Sequence, residues 1–597
     1  QHGNHTLRAG LTAMWMTKTE NATSGEATFN FGSGVNGNDP FANFLLGQAD
    51  SYSQPSKDTV PDLHYTNFEF YLQDDWKVTR RLTVNLGVRY SYFPSPTDAK
   101  NTLLNFDPLA YNAGQATIVT SPGAPNGQFA PGGDAATYAN GLIFPTGATC
   151  AAAKVISALA TCSPFGARVN PSSNNNWGPR LGLAYDPFGN GKWAIRAGYG
   201  VFYDRTLNGI WEQNAFSDPP LVQTTSVTNN GTSSLNLFDN YQVGAAPPAP
   251  LGPSGLTTTG AGSPGQSPTF KVPSYQDYNI SVQHEIMPNT VAEIAYVGTK
   301  GTHLLGDINY NQPTLAARLA NPGIGVNAIE PFLGFGGITA RDPVFTSNYN
   351  SLQATLNRRL SHGLTVGVAY TWSKLLTTNP IDRGWETQNT YDLKQSYGLS
   401  STNTPQMLSL NYVYQLPFFK EQRGVGWVLG GWELSGIVTI QSGQSLTITQ
   451  ANDPWTYPTT TTSTEACTIS ATQTTCPLYP GGMGVGNPRP NQIGSSKGPK
   501  TVGEYFNTAA FSVAQGQFGN AAPGSVLGPG YQRWDTSLFK NVKFGERATL
   551  QLRLETFNTF NHGSPSSVDT GINDGSFGQV NGYHIPRNVQ IGAKFNF

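Results

Sequence analysis

The stretch LTVNLGVRYSY (Leu82–Tyr92) decides the fold class, because its side chains alternate strictly between apolar and polar. In an extended strand, successive side chains point to opposite faces. One face therefore carries Leu82, Val84, Leu86, Val88, Tyr90 and Tyr92, and the other carries Thr83, Asn85, Gly87, Arg89 and Ser91. The same period recurs in 193–201, 364–373 and 550–555. The pattern predicts antiparallel strands that are apolar on one face only.

Strand length and loop length separate a membrane barrel from a soluble sandwich, which also alternates. Many of the alternating runs last about 10 to 14 residues, whereas soluble strands cluster near 5–6 and tilted membrane strands need about 9–11. The connections alternate between short turns, such as 78–81 and 361–363, and long segments rich in Gly, Pro, Asn, Ser and Thr, such as 94–176, 205–273, 304–347 and 450–530. Short turns at one end and long loops at the other are typical of outer-membrane barrels.

The composition agrees with this interpretation. Only 12% of the 597 residues are charged, against about 25% in an ordinary soluble domain. No stretch approaches the roughly 20 apolar residues that a spanning helix needs, and mean hydropathy is −0.32. A net charge of −1 argues against nucleic-acid binding, which requires a basic surface.

We therefore predict an all-β fold, a transmembrane antiparallel β-barrel of roughly 14–16 strands in this chain, with long extracellular loops. Six hairpins are predicted: 68–76 with 82–93, 180–186 with 193–204, 275–286 with 291–297, 349–360 with 364–373, 407–418 with 428–441, and 534–544 with 548–560. Single strands are predicted at 6–16, near 47–53 and at 588–597, and 431–448 reads as one long strand bent at Gly443. The last strand ends on Phe597, which suits a strand that closes a barrel against the first.

Aromatic residues concentrate where predicted strands meet long loops, and there they would form an interfacial girdle. They are Tyr90, Tyr92, Phe93, Tyr199, Phe202, Tyr203, Tyr370, Trp372, Tyr412 and Tyr414.

Six charged residues fall on the polar face of the predicted strands: Arg89, Arg180, Arg196, Glu285, Arg553 and Glu555. An Arg in the middle of the lipid face would cost about 2–4 kcal/mol, so we expect these side chains to face the lumen. There they could contact a plug, line a substrate path or pair with one another.

The four cysteines form two close pairs, Cys150 with Cys162 and Cys467 with Cys476, inside Thr-, Ala- and Pro-rich loops. Neither pair has a histidine at zinc-ligand spacing. Local disulfides in an oxidising compartment are the favoured reading, and free thiols are the alternative.

No catalytic, cofactor or metal site is predicted. The GxGxxG stretch at 32–37 does not open a helix after a buried strand, so a loop is favoured over a dinucleotide site. His2 and His5 lack ligand companions, and Asp74 and Asp75 point to opposite faces of a strand, which favours a strand-end role over a catalytic pair. No clustered Ser, His and Asp set can be assembled, so an enzyme is disfavoured.

Several ordered stretches resemble TonB-dependent outer-membrane receptors, specifically the Oar-like group of acidobacterial type. They are YLQDDWKVT (71–79), LTVNLGVRY (82–90), PRLGLAYDP (179–187), GYGVFYD (198–204), YNSLQ (349–353), YTWSK (370–374), GWELSG (431–436), FNTAAF (506–511) and ETFNTFNH (555–562). The resemblance implies a barrel of about 22 strands, a plug domain inside it, and energy from an inner-membrane TonB complex.

This chain departs from that family in showing no plug, no TonB box and no N-terminal domain. We therefore expect residues 1–597 to be the C-terminal part of the barrel, with the missing strands upstream and with open edges that make autonomous folding doubtful. The expected partners are outer-membrane lipid, the TonB complex through an absent plug region, and the barrel assembly machinery through the strand that ends at Phe597. The expected function is uptake of a saccharide, peptide or metal chelate; the alternative is an adhesion or secretion-supporting barrel without uptake.

Overall fold

A computed structural model describes residues 2–21, 26–32, 39–55, 58–116, 139–206, 208–212, 224–228, 254–259, 270–378, 387–418, 424–456, 479, 481–544 and 548–597. Side chains of 208, 212, 224–228 and 254–259 are excluded from this description.

Fourteen long strands form the body of the largest sheet. They are β1 (His5–Thr19), β2 (Asp62–Lys77), β3 (Leu82–Tyr92), β4 (Trp177–Tyr185), β5 (Trp193–Tyr203), β6 (Ser274–Met287), β7 (Thr290–Asn309), β8 (Phe335–Ser361), β9 (Leu364–Thr377), β10 (Gln406–Gln415), β11 (Trp432–Gln441), β12 (Tyr531–Phe544), β13 (Ala548–Phe557) and β14 (Asn588–Asn596). Short strands Thr97–Asp98, Ser254–Thr259 and Gly398–Leu399 join the same sheet.

Each long strand pairs antiparallel with its neighbours in sequence, from β1–β2 to β13–β14. All six predicted hairpins are confirmed, and fourteen strands fall within the predicted range. Every second connection is short, such as the two residues between β8 and β9, so all long connections lie at the opposite end of the sheet. Within the described residues, β1 is in register with β2 and β14 with β13, and no register joins β1 to β14.

The register collects most apolar side chains on one face of the sheet and most polar side chains on the other; Val413 and Ile437 are apolar exceptions on the polar face. Leu86 of β3 lies opposite Leu181 of β4, and its exposed fraction is 45%. Ile294 of β7 is 60% exposed and Ile591 of β14 is 82% exposed, on the same face. Exposed aliphatic and aromatic side chains recur along most of the sheet, and they leave an apolar face that no second protein layer covers in the described part of the chain.

Several strands run beyond the predicted length. β8 has 27 residues and β7 has 20, so at about 3.3 Å per residue their hairpin extends far past a bilayer. β11 is shorter than predicted at its start because a helical turn, Gly426–Leu429, precedes it. The prediction of one bent strand over 431–448 is wrong: β11 ends at Gln441, and Ser445–Leu446 pairs separately with Val526–Leu527.

The buried core lies in the long connections and strand extensions, which together we call the loop layer. Its helices are Pro40–Leu45, Ala148–Ile156, Asn208–Glu212 and Leu315–Ala320, with 3-10 turns Ala113–Gln115, Val326–Ala328, Leu393–Ser396 and Thr508–Ala510. Its small sheets use Thr28–Asn30, Ser51–Pro55 and Thr224–Thr228; Asn105–Phe106, Leu142–Phe144 and Thr161–Cys162; Asn491–Gln492 and Phe511–Ser512; and Pro565–Val568 and Val580–Tyr583. The strand predicted near 47–53 belongs to the first of these sheets.

The aromatic girdle is only partly where the sequence placed it. Tyr90 packs against Phe70 and Trp177 at the loop-layer end of the apolar face, as predicted. Phe202 instead lies on the polar face, and Phe93 is buried in the loop layer. Tyr412 and Tyr414 lie towards the short-turn end, because β10 runs from the loop layer to the turns.

Candidate functional site

The polar face of the sheet carries all six predicted lumen-facing charges. Arg89 makes a two-point ion pair with Glu69 of the neighbouring strand, with Nη2–Oε2 at 2.5 Å and Nε–Oε1 at 3.1 Å. The Ser91 hydroxyl donates to the same carboxylate at 2.7 Å. The alternation that placed Arg89 also places Glu69 on this face, although the sequence analysis did not single it out.

Two further arginines continue the same patch on β4 and β5. The Arg180 guanidinium lies 4.5 Å from the centre of the Phe202 ring. Arg196 Nη1 donates to Gln283 Oε1 at 2.6 Å. The register places Arg180 opposite Gly87 and Gly200, so neighbouring glycines leave room for the long side chain.

Two of the other predicted charges, Arg553 and Glu555, lie far along the sheet from this patch, on β13. Arg553 donates to Gln551 at 2.7 Å and lies 5.5 Å from the Phe539 ring centre. Glu555 follows two residues later on β13, opposite Ser537. Glu285 is half-buried near the short-turn end of β6. The six residues therefore share a face but form no single site.

The adjacent aspartates do point to opposite faces. Asp75 lies on the polar face, where Asn85 donates to it at 2.6 Å and Arg8 lies at 3.2 Å. Asp74 pairs with His5 at 2.7 Å on the apolar side, at the short-turn end. The His5 ring stacks on Trp76 with centres 5.3 Å apart. The two carboxylates therefore make separate contacts near the ends of the strands and do not face a shared reaction centre.

A disulfide holds part of the loop layer together. Cys150 lies on helix Ala148–Ile156 and is bonded to Cys162, with their Cα atoms 5.4 Å apart. Cys150 is fully buried in a cluster that includes Phe144 and, from the β7–β8 extension, Ile308 and Phe345. Cys467 and Cys476 lie outside the described residues. The disulfide itself is local to the 93–176 connection, and the packing of Cys150 against residues of the β7–β8 extension joins that connection to the two long strands.

Buried polar side chains join separate loops of the same layer. Arg318 is fully buried and donates to the carbonyl of Gly482 at 3.1 Å. Gln388 Nε2 donates to the carbonyl of Gly519 at 2.9 Å, and Gln312 Nε2 donates to the carbonyl of Gln388 at 3.0 Å. These bonds connect residues from 310–334, 387–405 and 442–530, so the three connections form one hydrogen-bonded unit.

Two acids in the loop layer are strongly buried. Burial raises the pKa of Glu330 to about 8. Burial also raises the pKa of Asp453, although its carboxylate accepts backbone bonds from Trp455, Met483 and Val485. Glu330 therefore holds its proton at neutral pH, while Asp453 organises the turn that follows it.

A cavity of about 410 Å³ opens in the loop layer between three chain segments. One wall is the turn 100–102, which Asp98 holds through bonds from Lys100 N at 3.1 Å and Thr102 Oγ1 at 2.6 Å. The other wall is the disulfide-bonded helix, which contributes Ala148, Thr149, Ala152, Ala153 and Ile156. Thr59 also lines the cavity, and its buried hydroxyl has no hydrogen-bond partner among the described residues. The volume falls within the range of small-molecule sites.

The structure describes the metal-ligand types only in part and describes almost none of the GxGxxG stretch. No group of three His, Cys, Asp or Glu side chains in the part of the chain described is arranged to hold a metal ion. Residues 33–37 of the GxGxxG stretch lie outside the described residues. Among the helices that the structure describes, none is long and apolar enough to span a membrane.

Comparisons with known proteins agree with this geometry. The chain is 23% identical over 220 residues to the TonB-dependent transporter Oar of Myxococcus xanthus, a match covering 34% of this chain and 20% of that protein. The resemblance to Oar-like receptors is thereby confirmed.

Two solved structures of outer-membrane proteins also match the chain at low sequence identity. The outer membrane transporter YddB from Escherichia coli is 11% identical with a TM-score of 0.49, and the match covers 100% of this chain and 52% of YddB. The siderophore receptor PiuA from Acinetobacter baumannii is 10% identical with a TM-score of 0.43, and the match covers 100% of this chain and 54% of PiuA. The chain thus spans about half the length of these structures.

A family model described as "Outer membrane beta barrel domain" matches residues 1–590, which is nearly the whole chain. The chain therefore belongs to the outer membrane beta barrel domain family and lies in the outer membrane.

Proposed function

We propose that this chain forms the barrel wall and external loops of a TonB-dependent receptor that imports a small substrate. The observation that carries the proposal is the asymmetry of the sheet: one continuous polar face, with a cross-linked loop layer at one end and short turns at the other. A polar face on a membrane sheet needs water or protein against it, which a lumen supplies.

The two free edges support the further proposal that residues 1–597 are a partial barrel. No register joins β1 to β14 in the described chain, and unpaired strand edges are costly inside a bilayer. Additional strands between them would complete the wall. A plug within the lumen would then contact Arg89, Arg180 and Arg196, which lie together on the polar face. Coupling to a TonB complex would act through that plug.

Substrate capture is assigned to the loop-layer cavity beside the disulfide-bonded helix. Its lining is mainly apolar, with Phe144 and the methyl groups of the helix. The polar residues that line it are Asp58, Thr59, Lys100, Asn101, Thr102 and Thr149. Ala152→Trp would fill the cavity, because Ala152 lines it. Ala151→Trp is the matched control, because Ala151 is exposed on the same helix and does not line the cavity.

The test is uptake by a strain that lacks the gene, with labelled saccharides, peptides and metal chelates, with and without a protonophore. We expect energy-dependent uptake of one class to be lost, and to be restored by the intact gene and by the gene that carries Ala151→Trp. Restoration of uptake by Ala152→Trp would show that the cavity does not take part in substrate capture.

An adhesion barrel without uptake is the second candidate. Helix Pro40–Leu45 and the residue after it expose Phe41, Phe44, Leu45 and Leu46 by 53% to 66% in the loop layer, which favours contact with a macromolecular surface. Unchanged uptake of every substrate class, with lost surface attachment, would establish this candidate and overturn the first.

A further inference from the structure

One element at the short-turn end lies outside the strand pattern and on the apolar side of the sheet. Residues 425–429, here called the rim segment, include the helical turn Gly426–Leu429. Its large side chains are exposed: Val425 by 65%, Trp427 by 42%, Val428 by 67% and Leu429 by 46%. Four exposed apolar side chains in five residues would be unfavourable in water.

Contacts fix the rim segment against the apolar face. The Trp432 indole donates to the carbonyl of Val428 at 2.9 Å. The Lys540 ammonium donates to the same carbonyl at 3.1 Å and also to the carbonyl of Gly430. Trp432 and Lys540 lie opposite each other on the apolar face of β11 and β12. This arrangement also explains a lysine on that face, because its charge is directed to the end of a helical turn.

The rim segment continues an aromatic row along the ends of the strands. The Trp427 ring lies 6.0 Å from Phe544 at the end of β12, and Phe544 lies 6.4 Å from Phe595 of β14. Phe544 and Phe595 are 47% and 54% exposed on the apolar face. The segment is therefore continuous with the surface that meets lipid.

We propose that residues 425–429 are an interfacial anchor that inserts into the phospholipid leaflet at the short-turn rim. Trp427 lies at the boundary between acyl chains and headgroups, where tryptophan is favoured, and Val428 and Leu429 enter the acyl region. Lys540 holds the anchor at a fixed angle to the barrel wall. The anchor thus sets the depth of this rim in the membrane.

The test reads the fluorescence of Trp427 in the full chain reconstituted in phosphatidylcholine vesicles. The signal is the difference between the parent and Trp427→Phe. Vesicles brominated close to the headgroup should remove most of this emission, and vesicles brominated at the chain ends should remove less. Trp455→Phe supplies the control difference, because Trp455 is 1% exposed within the loop layer and should be insensitive to both lipids.

Lys540→Gln tests whether the hydrogen bonds of Lys540 hold the rim segment at the lipid boundary. Loss of the clamp should reduce quenching by the headgroup-proximal bromines while circular dichroism still shows the sheet. Quenching of Trp427 by aqueous iodide as strongly as free tryptophan, or insensitivity to both brominated lipids, would overturn the proposal and indicate a face for water or a periplasmic protein.

Discussion

Leu86→Arg on β3 is the substitution that most directly separates the two faces of the sheet. Leu86 is five residues past the short turn 78–81, near the middle of the strand, and it is 45% exposed on the apolar face. Its neighbour Asn85 points to the polar face, where it donates to Asp75 at 2.6 Å. The two positions thus share depth and strand but differ in their surroundings.

The expected cost follows from the position of Leu86. An arginine on the lipid face near the middle of the bilayer costs about 2–4 kcal/mol, which corresponds to roughly 30- to 800-fold in the folding equilibrium constant. Asn85→Arg should cost about 1 kcal/mol or less, because Gly182 lies opposite and leaves space, and Asp75 offers a carboxylate.

The assay is reversible denaturant unfolding of the whole protein that the gene encodes, in phospholipid vesicles, followed by tryptophan fluorescence. The midpoint for Leu86→Arg should fall clearly below that for Asn85→Arg. Equal midpoints, or a larger loss for Asn85→Arg, would refute the assignment of the faces.

Three further predictions concern the polar face and the loop layer. Glu69→Ala should destabilise the sheet by about 1–3 kcal/mol, since it leaves Arg89 and Arg180 close together without the carboxylate. The double variant with Arg89→Ala should lose less stability than the sum of the losses of the two single variants. Additive losses in this double-mutant cycle would contradict the ion pair. For Glu330, the folded state holds the proton more tightly than the unfolded state, so loop-layer stability should fall as pH rises from about 4.5 to about 8; proteolysis of the loops should show this in the parent and not in Glu330→Gln. Replacing Cys150 and Cys162 together by Ala should cost the loop layer about 3 kcal/mol and speed proteolysis within 139–176, and an unchanged cleavage rate would show that packing alone holds the helix.

The sequence was sufficient to predict the strands because a period of two is a local property. Leu82–Tyr92 reveals both faces without any knowledge of its neighbours. The same rule applied to Arg196, Gly198 and Gly200 would have placed Phe202 on the polar face, where its ring contacts Arg180. Because Phe202 lies near other aromatic residues in the sequence, it was assigned instead to the aromatic girdle.

Features that depend on distant contacts could not be read from the sequence. The extensions of β7 and β8 are defined by their pairing with each other and by packing with the 93–176 connection. The apolar composition of the rim segment predicts a strand that continues into β11. Gly430 and Gly431 separate the segment from β11, and Gly431 adopts a φ of 72°. The loop-layer cavity requires three segments that are far apart in sequence.

The most direct measurement places a single nitroxide in turn at each position from 82 to 92 and compares its collision rates with oxygen and with a water-soluble nickel chelate in lipid vesicles. Positions 84, 86 and 88 should meet oxygen far more than nickel, and positions 85, 87 and 89 should show the reverse. A profile without this alternation, or one with the even positions in contact with nickel, would contradict the account of a sheet that spans the membrane with one face in hydrocarbon.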